Sequence, residues 1–203
     1  MGMQHVFHKG TDETKPTLLL LHGTGGNEHD LIGLAKKIDD TASILSVRGN
    51  VLENGMPRFF RRLAEGVFDL EDLVFRTQEL YTFVKQAAKD YEFDHTRVVA
   101  IGYSNGANIA ASLLFHYEDA LAGAMLLHPM VPRRGIALPI LTNIPVFISA
   151  GTNDPICSAQ ESTDLETLLV DAGADVSTTW FNYGHQLTMP EVEAAKEWYQ
   201  SKF

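Results

Sequence analysis

Ser104 stands at the centre of Gly102-Tyr103-Ser104-Asn105-Gly106, with the apolar run Val98 to Ile101 before it and the small-residue segment Ala107 to Ala110 after it. A strand entering Gly-x-Ser-x-Gly and leaving as a helix holds the serine on a strained turn at a helix N-terminus, where the dipole favours a developing negative charge. The flanking glycines leave space that side chains would fill. A serine hydroxyl is a weak nucleophile near neutral pH; it needs a base to take its proton and a third group to orient that base. Asp154 follows the apolar stretch 145–151, and His185 lies in the loop 182–186. The chain order is therefore Ser, acid, His. Asp154 alone also suits an Asx turn or helix cap, and His185 alone an ordinary surface loop. Their joint placement, each just past a predicted strand, favours a triad.

His22-Gly23-Thr24-Gly25-Gly26-Asn27 ends another apolar run. Such an HG-x-G turn is suited to supplying half of an oxyanion hole, with the Thr24 amide as one donor and the Asn105 amide as the other. Phosphate binding is disfavoured, because neither G-x-x-x-x-G-K-[ST] nor G-x-G-x-x-G is present. Residues 48–69 read as a long irregular segment at the carboxyl end of a strand, where ligand sites form in parallel sheets. Met56, Phe59, Phe60 and also Phe68 are expected to line a substrate pocket there; the alternative is that the aromatics pin the segment to the core. The arginines at 58, 61 and 62 read as solvated or ion-paired. His22 is expected to brace its turn, and His128 to be a packed or rim residue. No histidine pair has metal-ligand spacing, so neither metal nor cofactor is expected. Cys157 reads as a small buried hydrophobe.

These residues need strands and helices in alternation to hold them. Apolar runs predict strands over 17–22, 44–47, 98–103, 122–128, 145–151 and 176–181, with a weak edge strand within 4–10. Helices are expected over 28–40, 70–91, 105–117, 158–172 and 190–201. Ser158 with Glu161 reads as a capping box, and Gly173 as a helix stop. The fold class is α/β: a mainly parallel sheet with helices on both faces, one domain over 1–203, and no room for a lid in 129–144. The chain has 203 residues and a net charge of −10. That charge suits neither nucleic acid nor anionic membrane surfaces. No apolar run is long enough to span a bilayer and the N-terminus has no signal-peptide core, so a cytoplasmic protein is expected. One cysteine excludes an internal disulfide. A homodimer is left open.

The segments LLLHGTGGNEHDL, GYSNGANIA, GTNDPICS and YGHQLTMPEVEAAKEW resemble the small bacterial carboxylesterase/phospholipase family of α/β-hydrolases, relatives of the acyl-protein thioesterases. GYSNGANIA and MPRFFRRLAEGVFD resemble in particular the carboxylesterase subgroup associated with hydroquinone and catechol resistance. The resemblance implies a Ser104–His185–Asp154 triad with oxyanion donors at Thr24 and Asn105. Ser-Asn-Gly replaces the Ser-Gln-Gly usual in acyl-protein thioesterases, which argues against a lipidated-protein substrate. Dienelactone hydrolases share the architecture with cysteine at the elbow, so Ser104 argues against that assignment. The expected activity is a serine carboxylesterase on small or short-chain esters. The alternatives are an acyl thioesterase or lysophospholipase on the same triad, and a non-catalytic binding protein with this fold.

Overall fold

A computed structural model describes residues 2–203. Strands β1 (His5–His8), β2 (Thr17–Leu21) and β3 (Ile44–Val47) begin the main sheet, with helix α1 (Ile32–Ile38) between β2 and β3. Two hairpins follow, β4 (Val51–Glu53) with β5 (Met56–Arg58) and β6 (Arg62–Ala64) with β7 (Val67–Phe68). Helix α2 (Leu70–Tyr91) leads to β8 (Val98–Tyr103), α3 (Asn105–His116), β9 (Gly123–Leu127), β10 (Pro145–Gly151), α4 (Ala159–Asp171), β11 (Asp175–Phe181) and α5 (Met189–Lys202). The seven-stranded sheet has the order β1-β3-β2-β8-β9-β10-β11. Only β1 runs antiparallel to its neighbour; the other pairings are parallel.

The central strands are apolar throughout because both faces are covered. Leu19 and Leu21 of β2, with Val98 and Ala100 of β8, pack under α2, α3 and α4. Leu18 and Leu20, with Val99 and Ile101, face α1 and α5. The parallel order brings the carboxyl ends of β2, β8, β9, β10 and β11 to one rim, the place where such sheets bind ligands. Among the described residues, no helix is long and apolar enough to cross a membrane.

Three local expectations are corrected. Helix α1 begins at Ile32, not at Glu28. The Asp30 carboxylate accepts the Asn27 amide, Asn27 Oδ1 accepts the His29 amide, and Glu28 is buried against Arg48 and Gln4, so turns displace the first helical residues. The Ser158–Glu161 capping box does not form: the Glu161 amide donates to the Ser158 carbonyl rather than its hydroxyl, and the Glu161 carboxylate is taken by the Val131 amide and Arg134. The segment 48–69 is two hairpins rather than irregular chain. The first turns at Asn54-Gly55, both at positive φ (51° and 81°), as a two-residue hairpin turn requires.

Candidate active site

Ser104 sits between the end of β8 and the start of α3 with φ 52° and ψ −114°, a conformation an L-residue adopts only when its surroundings enforce it. A Cβ on Gly106 would lie 1.9 Å from the Leu21 carbonyl oxygen, and one on Gly102 2.4 Å from the Gly106 carbonyl oxygen. The elbow therefore closes only with glycine at both places.

His185 Nε2 lies 2.9 Å from Ser104 Oγ, and His185 Nδ1 lies 2.7 Å from Asp154 Oδ2. The three residues expected to act together are brought together. Asp154 is sealed from solvent, whereas His185 keeps partial exposure. The other Asp154 oxygen accepts the Ile156 and Cys157 amides at 2.8 and 2.9 Å. Burial would push the Asp154 carboxyl up, but these amides and the His185 contact outweigh it and hold the group below its usual range. The histidine loop is itself anchored: Tyr103 Oη donates to the His185 carbonyl at 2.6 Å, and the Gly184 amide to Asn153 Oδ1 at 2.8 Å.

A small cavity of about 40 Å³ opens beside Ser104, lined in part by Thr24, Asn105, Asn108, Arg58, Phe68 and Met130. Among the described residues neither the Thr24 nor the Asn105 amide donates to another group of the chain, and both residues line the cavity. The Asn105 side chain serves elsewhere: its Oδ1 accepts the Phe59 amide at 2.7 Å and ties the hairpin segment to the elbow.

The expected aromatic pocket is not formed. Phe59 and Phe60 are buried in the core, Phe59 against His22 and Phe60 edge-on to Phe68. Met56 sits on the first hairpin, half-exposed and off the cavity wall. The aromatics therefore pin the segment, and of the four only Phe68 reaches the cavity. The arginines are ion-paired: Arg58 and Arg62 share Glu53, and Arg61 pairs with Asp69. Arg58 is nevertheless buried, lines the cavity and donates to Thr24 Oγ1 at 2.9 Å. His22 braces its turn, bonded to the Gly23 carbonyl and the Gly49 amide. Cys157 is buried, and burial pushes its thiol up to about 12.

One participant was missed. His128, past the end of β9, bonds Asp154 Oδ2 through Nδ1 at 2.9 Å and Glu191 Oε1 through Nε2 at 2.8 Å. His128, Asp154 and His185 have donor atoms within 4.8 Å of one another, close enough to share a metal ion. Their facing atoms are already committed to hydrogen bonds, so the group fits a triad better than a metal centre.

A family model described as the dienelactone hydrolase family matches residues 61–201. The chain belongs to the dienelactone hydrolase family. Ser104 at the elbow is thus no bar to that assignment, contrary to the sequence argument. This family member is 60% identical to MhqD of Bacillus subtilis (strain 168) over 198 residues, covering 98% of each chain. The Bacillus cereus carboxylesterase crystal structure superposes with a TM-score of 0.98 at 69% identity, covering 99% of this chain and 95% of that one. A more distant likeness, 25% over 173 residues, links it to acyl-protein thioesterase 1 of Cryptococcus neoformans, covering 76% of this chain and 73% of that one. The resemblance to carboxylesterases is therefore borne out, and the chain is a hydrolase.

Proposed function

We propose that the chain is a serine carboxylesterase acting on small or short-chain carboxylic esters. The continuous hydrogen-bonded line from Ser104 through His185 to Asp154 carries this reading. Ser104 Oγ attacks the acyl carbon while His185 Nε2 takes the serine proton. The Thr24 and Asn105 amides bind the oxyanion, each donor contributing roughly 2.7–4 kcal/mol. His185 returns the proton to the departing alcohol. Water, deprotonated in turn by His185, then releases the acid. Asp154, held ionised by four donors, fixes the imidazole tautomer and stabilises the imidazolium.

The small cavity beside Ser104 supports a short acyl group. The loop between β9 and β10 carries no helix that would cover it. The likeness to a carboxylesterase favours oxygen esters. The more distant likeness to an acyl-protein thioesterase keeps a thioester substrate as the second reading. Hydrolysis of p-nitrophenyl esters of rising chain length, beside matched thioesters, tests the proposal. Turnover should fall as the acyl chain lengthens and be faster on esters. Faster turnover of long-chain substrates or of thioesters would overturn it.

A further inference from the structure

We propose that the buried pair His128 and Glu191 is a positioning device behind Asp154, in which His128, as an imidazolium, clamps the carboxylate and tempers the charge that His185 meets. The proposal rests on the reading of Ser104, His185 and Asp154 as a triad.

The donors and acceptors leave His128 one role. Asp154 Oδ2 faces Nδ1 of both His128 and His185, and its Oδ1 faces two backbone amides. Glu191 Oε1 faces His128 Nε2 and the Ser149 hydroxyl at 2.9 Å. Its Oε2 faces the Thr188 amide at 2.6 Å and the Thr188 hydroxyl at 3.2 Å. Ionised carboxylates only accept, so both His128 nitrogens must donate and the ring carries a positive charge. All three side chains are shut from water: His128 is 1% exposed, Asp154 and Glu191 0%. Burial pulls the His128 ring toward its neutral form. The bonds and charges of Glu191 and Asp154 outweigh burial and raise its pKa; the same pairing holds Glu191 low.

The other titratable groups facing His128 are neutral ones and the base itself. Tyr103 of β8 stands edge-on at 6.0 Å with its hydroxyl pushed up to about 12. Cys157, from the loop after β10, bonds the His128 carbonyl and keeps its proton. The His185 ring lies 5.1 Å away, across the shared oxygen. The charge on His128 offsets part of the Asp154 charge at the oxygen that His185 Nδ1 also meets. Glu191 lies on the far side of the His128 ring, so its opposing effect is the weaker.

The test is the pH dependence of the rate at which a fluorophosphonate labels Ser104, in wild type, His128→Asn and the double variant His128→Asn/Glu191→Gln. Asparagine puts an amide nitrogen where Nδ1 sits and keeps the bond to Asp154 without the charge. The double variant does not leave Glu191 as a buried carboxylate without its cation, which guards against misfolding of the single one. The acid limb should move up in both, and further in the single variant, where the Glu191 charge remains. Slower labelling with an unmoved limb would reduce the pair to a structural role and overturn the proposal. Nitrogen-15 spectra of histidine-labelled wild type give an independent reading: His128 should hold both ring protons at pH 7, and a neutral ring would overturn the clamp. A folded wild type that is not labelled at all would instead sink the triad reading, while the spectra would still report on His128.

Discussion

Tyr103 donates its hydroxyl to the backbone carbonyl of His185 at 2.6 Å, so the residue before Ser104 holds the loop that carries His185. Sheet and loop are fastened at the point where a displacement of about 1 Å would cost rate. Tyr103→Phe should lower kcat several-fold with little change in KM, and cost about 1 kcal/mol of stability. Steady-state kinetics beside urea denaturation would show both; a change confined to KM would contradict the anchoring role.

Gly106 has no room for a methyl group, since its Cβ would meet the Leu21 carbonyl oxygen at 1.9 Å. Gly106→Ala should therefore destabilise the protein by more than about 3 kcal/mol and prevent the elbow from closing. Circular dichroism during denaturation checks this. A variant as stable as wild type would mean that α3 can shift away from β2.

Phe60 is fully buried against Phe68 in the core and off the cavity wall. Truncation to alanine should cost about 3–5 kcal/mol. At temperatures where the variant remains folded, KM for a short ester should stay close to wild type. A large rise in KM with stability intact would return Phe60 to the substrate pocket.

The clamp also leaves a signature in stability. Glu191 is held below its ordinary value of 4.5, so its contribution is present above that pH and fades as pH falls through the lowered value. His128 is held above its ordinary value of 6.5, so its contribution is complete below that pH and fades as pH rises through the raised value. The stability lost in His128→Asn should therefore be greatest between about pH 4.5 and 6.5 and shrink on the alkaline side. Denaturant titrations across pH would show it; a loss that grows above pH 6.5 would mean that His128 is neutral in the folded protein.

The meeting of Ser104, Asp154 and His185 was legible because each follows a strand with a strong apolar pattern, and a parallel sheet brings such ends to one rim. The strand positions and the long helix α2 follow from the same apolar patterning, whereas the order of the strands in the sheet is not encoded in it. The hairpin at Asn54-Gly55 carried a readable signal in its Asn-Gly pair, hidden because its flanking strands are only three residues long. Thr188 with Glu191 was likewise a readable capping box, and it forms, whereas Ser158 with Glu161 matched the pattern and does not. There the Glu161 amide bonds the Ser158 carbonyl, and the Glu161 carboxylate is held by tertiary partners that no local motif encodes. His128 left no local trace, because its partner Glu191 lies 63 residues further along the chain. Phe59 and Phe60 were misplaced for a related reason: aromatics in an irregular stretch look alike whether they face a ligand or the core.

The most direct measurement is intact mass after treatment with a fluorophosphonate, on wild type and on Ser104→Ala. The account predicts one covalent adduct on wild type and none on the variant, both proteins being folded by circular dichroism. An unlabelled, folded wild type, or a variant labelled as fast as wild type, would contradict the assignment of Ser104 as the activated nucleophile.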